Sequence, residues 1–207
     1  MKSAEIFALC LIVTVVSFLG FVVENVWLAL TKGFIDNRNM MLPFLLGYGI
    51  AIVLIYLMFG TPTQLRLFGY NIAIKNQYAK TLIYYFIVIL CVSVGEIALG
   101  TLVEKAYGII WWDYTRLPMH ITKYTSVPTS MAFSLGITTF MKEFFTPLMN
   151  RFLEMDIVNL KFWAITFMTL LGVDFIVNAV RVGFTHEMKQ MWRIDTSNTK
   201  AYRILHS

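Results

Sequence analysis

Apolar residues in this chain come in long blocks, near residues 4–30, 42–59, 81–103, 127–149 and 160–184. A helix needs about 20 such residues to cross the hydrocarbon core of a bilayer, and all five blocks meet or approach that length. The fourth is interrupted by Lys142 and Glu143, with Pro147 close behind them. No block shows the polar–apolar alternation of a barrel strand, and lipid offers no partner to unpaired backbone, so helix is the form these segments take. The pattern predicts an all-α, polytopic transmembrane helical bundle of about five spans. It divides into a transmembrane domain over 1–184 and a polar, basic tail over 185–207. The tail carries Lys189, Arg193, Lys200 and Arg203 among aromatic and aliphatic residues that suit a headgroup surface. The stretch bounded by Pro118 and Pro128 is too polar to span and reads as a loop or as a partly re-entrant segment. No internal repeat or low-complexity segment is evident.

Ionisable groups at the centre of a span cost about 2.5–3.5 kcal/mol each. Here they are not scattered. Glu24 and Asn25 come late in the first block, Glu96 late in the third with Glu104 at its exit, and Asp174, Asn178 and Arg181 in the second half of the fifth. Alternate spans point the same way, so five crossings place these late halves in one leaflet. The loops on that side hold Asp36, Asn37 and Arg38, then Trp111, Trp112, Asp113 and Tyr114. Asp174 and Asn178 are four apart and Arg181 three further, so one helix face shows a carboxylate, an amide and a guanidinium. An Arg–carboxylate pair in a low dielectric keeps both groups charged. The candidate binding or pathway residues are Glu24, Asn37, Arg38, Glu96, Trp112, Asp113, Tyr114, Lys123, Asp174, Asn178 and Arg181. Plainer roles exist for the same residues: helix–helix glue, a snorkelling arginine, and a belt of interfacial aromatic rings with Glu104 at its edge.

Composition narrows the class. The 207 residues are 58% hydrophobic and 14% charged, against about 25% charged in an ordinary soluble domain. The net charge of +5 is too small, beside so much apolar surface, for nucleic-acid binding; it suits Lys and Arg meeting anionic headgroups. Counting Lys and Arg on the two sides, the tail tips the balance toward a cytoplasmic C-terminus. Met1 and Lys2 lead into an apolar run too long for a signal peptide, and no small-residue cleavage site follows, so a retained first span is expected. Cys10 and Cys91 lie in apolar runs without metal-ligand spacing and are expected as buried free thiols. His120, His186 and His206 are dispersed, and no Gly-x-x-x-x-Gly-Lys-Ser/Thr loop occurs. No metal, no cofactor and no P-loop binding of ATP is therefore expected.

Several motifs carry a resemblance. Gly20 and Glu24 in the first block are followed by Asn37-Arg38, Pro43 and Tyr48-Gly49; Glu96 and Glu104-Lys105 are followed by Trp112-Asp113-Tyr114 and a Pro-containing turn. Over about residues 17–150 this resembles the ABC-transporter type IV (CmpB-like) family of small bacterial integral membrane proteins. The sequence departs from that pattern at Asn39, where the family has Gly after Asn-Arg. It departs again near Gly47, where a Pro-Ile pair is expected, and at Ile121-Thr122-Lys123, which keeps only the basic residue of an Asn-x-x-Gly-Arg/Lys element. The resemblance implies a divergent member, a multi-pass protein of the bacterial cytoplasmic membrane with a transport role.

The leading functional expectation is a permease-like transport component. Its partners would be membrane lipids, a separate ATPase subunit in trans and a second copy of the chain, and its substrate lipid-like or amphipathic. Two other readings stay open. One is a membrane-embedded enzyme on a lipid or lipid-linked substrate, with Glu24 or Glu96 as base and Arg38, Lys123 or Arg181 holding a phosphate. The other is a non-catalytic assembly subunit. No recognised catalytic motif favours the enzyme.

Overall fold

The computed structural model describes residues 3–187, 190–199, 201 and 202. Lys189, Lys200, Arg203 and His206 lie outside the described residues. The chain is a bundle of helices, three of them long and apolar enough to cross a membrane: α1 (Ser3–Lys32), α3 (Gln77–Tyr107) and α6 (Ile157–Thr185). It divides into two compact units, residues 1–51 with 152–207, and residues 52–151. Helix α2 (Leu46–Phe59) begins in the first and ends in the second.

In the first unit α1 packs on α6. The face of α1 carrying Ala8, Leu9, Ile12, Val13 and Val16 is buried, whereas Phe18, Val23, Val26 and Trp27 are exposed. In water that exposure would be costly; lipid solvates it without penalty. α2 approaches α1 closely, because a Cβ on Gly49 would meet the Val13 carbonyl oxygen and the Ser17 side chain. Such contacts are how helices associate in lipid, where burying apolar surface gains nothing.

α1 ends at Gly33 (φ +71°), and strand β1 (Phe34–Asp36) follows. It pairs antiparallel with β6 (Arg193–Asp195), a strand in the tail, in the register Phe34↔Asp195, Ile35↔Ile194, Asp36↔Arg193. The Arg193 guanidinium sits 3.6 Å from the Phe34 ring centroid, a cation–π contact that reinforces the pairing. The tail thus docks on the loop after α1, and the C-terminal ends of α1 and α6 share one side. Asp156 starts α6 by accepting the N–H groups of Val158 and Asn159, two donors that would otherwise lack partners.

The second unit holds a small hairpin, β2 (Arg66–Leu67) with β3 (Tyr70–Asn71), and then α3, capped by Asn76 and closed by Gly108 at φ +69°. Between Pro118 and Pro128 the chain is a second hairpin, β4 (His120–Thr122) with β5 (Thr125–Ser126), whose tip is Lys123-Tyr124. α4 (Val127–Thr139) starts at the Ser126 cap with Pro128 in its first turn. α4 packs along α3.

Two sequence boundaries shift. The second block is helical only from Leu46, and its 14 helical residues rise about 21 Å. The fourth does not break at Lys142 and Glu143. It passes through a π-turn (Phe140–Phe144) into α5 (Phe145–Leu153). Pro147 has no N–H to offer a preceding carbonyl, and widening the turn just before it keeps the rod continuous. Cys10 and Cys91 are both free, as expected, and only partly buried.

Asn39 explains one departure from the family pattern. It lies in the left-handed region at φ +62°, beside Arg38 at φ +49°. Asn enters that region more readily than other non-glycine residues. Asn39→Gly is expected to leave thermal stability within about 0.5 kcal/mol of the parent, while Asn39→Val should lower it by about 1–2 kcal/mol. A melting curve on the detergent-solubilised protein checks both.

Candidate functional site

The eleven candidate residues fall into two groups, one per unit. Glu24, Asn37, Arg38, Asp174, Asn178 and Arg181 belong to the first; Glu96, Trp112, Asp113, Tyr114 and Lys123 belong to the second.

In the first unit Glu24 is the hub. Arg38 Nη2 donates to Glu24 Oε2 at 3.1 Å, and the Tyr48 hydroxyl donates to Glu24 Oε1 at 2.5 Å. Arg38 Nη1 lies 3.7 Å from Asp36 Oδ1, and Arg38 Nε is buried with no hydrogen-bond partner. The Tyr48 ring lies directly over Gly20, one turn before Glu24. A Cβ there would come within 2.5 Å of the ring. Gly20 is therefore what allows Tyr48 to reach the carboxylate.

The polar stripe of α6 does a different job. Asp174, 5% exposed, accepts from the Met41 N–H at 3.0 Å, the Leu42 N–H at 3.4 Å and Asn178 Nδ2 at 2.9 Å. The expected Asp174–Arg181 pair does not form. The Arg181 guanidinium donates instead to the Asn39 carbonyl oxygen at 3.3 Å. A buried carboxylate is stable when several donors converge on it, and here backbone amides replace the guanidinium. Both residues thus fasten α6 to the loop that carries Arg38. Asn37, 2% exposed, fastens the tail. It donates to the Met40 carbonyl oxygen and accepts from the Met191 N–H.

In the second unit the hub is Glu104, at the end of α3. Lys123 Nζ donates to Glu104 Oε1 at 2.6 Å, and the Tyr124 hydroxyl donates to Oε2. The Tyr124 ring lies directly over Gly100, again one turn before the glutamate. The Glu104 carboxylate holds the Lys123 ammonium above its ordinary pKa, and burial together with Glu104 raises the Tyr124 phenol. The Trp-Asp-Tyr run supports this hairpin tip. The Trp112 indole N–H donates to the Tyr124 carbonyl oxygen at 2.8 Å, and the Tyr114 N–H donates to that of Lys123. Asp113 closes a turn by accepting the Thr115 N–H, which lowers its pKa. Glu96, two turns before Glu104, accepts from Thr125 Oγ1 at 2.6 Å, and Ser130 Oγ lies 3.5 Å away. It joins the start of α4 to α3.

The sequence reading missed Tyr48, Tyr124, Gly20 and Gly100 as site residues and treated Glu104 as interfacial. The available signal was a repeated Gly-x-x-x-Glu on two long apolar helices, each followed by a basic residue and a tyrosine. The intervals differ, which hid it: Tyr48 comes 24 residues after Glu24, and Tyr124 comes 20 after Glu104.

Among the described residues no cluster of His, Cys, Asp and Glu could hold a metal ion. Comparison with curated proteins and with solved structures gives no match. A family profile does match, over residues 11–179. That span takes in both glutamate hubs, the cations and tyrosines bound to them, and the Asp174–Asn178 fastening. With this match over most of its length, the chain belongs to the family described as Putative ABC-transporter type IV.

Proposed function

We propose that this chain is a permease-like component of a membrane transport system in the bacterial cytoplasmic membrane, with its C-terminus in the cytoplasm. The observation that carries this reading is the pair of glutamate hubs, each on a long apolar helix, partly exposed, and held next to a cation. Structural glue alone is normally buried and satisfied, as Asp174 is. Partly open acid–cation groups on membrane helices typically line substrate pathways. With no P-loop in the sequence, hydrolysis of ATP would come from a separate subunit. The apolar, exposed faces of the helices that carry the hubs favour a lipid-like substrate.

Affinity capture of the tagged protein from its native membrane, followed by an ATPase measurement on the eluate, tests the partner. An ATP-hydrolysing subunit is expected. Proteoliposomes made with that eluate should move a fluorescent phospholipid between leaflets without altering it chemically. Neutral Glu24→Gln and Glu104→Gln variants should slow that movement at least tenfold while the partner still co-purifies. A chemically altered lipid would instead establish the enzyme reading. No movement, with a partner bound, would leave an assembly subunit. Five crossings further predict that single cysteines at Asn37, Asp113 and Asn198 label from the cytoplasmic side.

A further inference from the structure

The two glutamate hubs are one arrangement built twice. In each, a glycine on a long helix makes room for a tyrosine ring, the glutamate one turn later takes the tyrosine hydroxyl on one oxygen, and a cation takes the other. The supporting backbone differs: a left-handed turn brings in Arg38, while a hairpin tip brings in Lys123. Different scaffolds delivering the same four groups point to the groups, not the backbone, as what the two arrangements share.

Each hub also has unused bonding capacity of both signs, side by side. A carboxylate has about four lone-pair sites, and each glutamate spends two on its tyrosine and cation. Arg38 Nη1 stands 3.7 Å from Asp36 Oδ1, beyond hydrogen-bond distance, and Lys123 holds Glu104 and leans on Tyr124 with a further N–H of its three to spare. The side chains remain reachable, at 26% and 21% exposed for Arg38 and Glu24 and 36% each for Lys123 and Glu104. A simple anion would meet the cation but face the glutamate, and in the first unit Asp36 as well. A simple cation would meet the glutamate but face Arg38 or Lys123. A zwitterion satisfies both groups at once and leaves the net charge of the hub unchanged.

Depth selects the source. α1 and α3, with 30 and 31 residues, rise about 45 Å, against a hydrocarbon core of about 30 Å. The excess of about 15 Å carries the ends of both helices into the headgroup layer. Shared between two ends, that is about 7–8 Å each, so Glu104, three residues or about 4.5 Å before the end of α3, lies in the headgroup layer, and Glu24, eight residues or about 12 Å before the end of α1, lies just beneath it, within reach of a headgroup.

We infer that each hub is a binding site for the headgroup of a zwitterionic aminophospholipid, with the ammonium on the glutamate and the phosphate on Arg38 or Lys123, so that one chain holds two lipids. This rests on the proposed transport role for the identity of the cargo but not for binding itself. The experiment therefore reads binding alone. The full chain in mild detergent is equilibrated with phosphatidylethanolamine or, separately, with phosphatidylglycerol, and retained lipid is counted by native mass spectrometry. Two phosphatidylethanolamines per chain are expected, with phosphatidylglycerol retained about tenfold more weakly. Glu24→Gln and Glu104→Gln should each remove one lipid, and the double variant both. Tyr48→Phe and Tyr124→Phe keep the ring over its glycine and lose only the hydroxyl. Each should weaken one site by about tenfold, as expected for a lost hydrogen bond to a charged group. The inference is overturned if no lipid is retained, if the count ignores both glutamates, or if the anionic lipid is held equally well. Absence of lipid movement by the parent protein with the count intact would instead reject the transport reading and leave the sites standing.

Discussion

Replacing Asp174 by Ala should lower the stability of the first unit by about 3–5 kcal/mol, the range for removing one partner from a buried, charge-assisted network. The carboxylate satisfies the Met41 and Leu42 N–H groups and Asn178 Nδ2. Alanine would leave those donors unsatisfied and open a void at a buried position. Asp174→Asn tests the charge separately. It keeps the volume and one acceptor oxygen, and it should recover about half of the loss. The measurement is the melting temperature of the detergent-solubilised protein, with limited proteolysis near Met41 as the local readout. Release of the loop should cut the chain there well below the melting temperature. If Asp174→Ala melts with the parent, the carboxylate is not a fastening, and a pathway role for it returns.

The second large effect is expected at Gly100. A methyl group there would collide with the Tyr124 ring at its base, where the side chain has no freedom to swing aside. Overpacking a well-filled site costs about 1–3 kcal/mol. Here the displaced ring also pulls its hydroxyl off Glu104 and shifts the hairpin tip that holds Lys123. Gly100→Ala should therefore behave like loss of the whole second hub, in stability and in lipid count. Gly20→Ala should do the same to the first hub through Tyr48. Adding Tyr124→Ala to Gly100→Ala should restore folding without restoring the hub. That double variant separates steric collision from loss of chemistry. A Gly100→Ala protein that retains its second lipid would show that the tyrosine contact is dispensable.

Most of the architecture was legible in the chain itself. Blocks of about 20 apolar residues have one stable form in lipid, so α1, α3 and α6 follow from length and composition alone. The same physics explains the two places where the blocks misled. Residues 42–45 are apolar, but Leu42 gives its N–H to Asp174 and Leu45 gives its N–H to the Ser17 carbonyl oxygen, so α2 starts only at Leu46. Lys142 and Glu143 looked like an interruption, yet they pair at 2.7 Å across a π-turn, a local adjustment that no hydrophobic count reveals.

Which polar residues meet was a different matter. The sequence by itself determined that Glu24, Glu96, Glu104, Asp174 and Arg181 would need partners, because charge in an apolar span is costly wherever it sits. It could not choose the partners. Asp174 and Arg181 share a helix face seven residues apart, and periodicity made them a pair. In the folded chain backbone donors meet Asp174, and Arg181 turns to the Asn39 carbonyl oxygen. Tyr48 and Tyr124 drew no notice as site residues, because a tyrosine near a membrane surface has an ordinary explanation. Only the tertiary structure showed each ring lying over a glycine and each hydroxyl on a glutamate. Span and helix are set by local transfer energies summed along the chain. The hubs are set by contacts between residues 14 to 24 positions apart, and their loops and turns must fold before those distances exist.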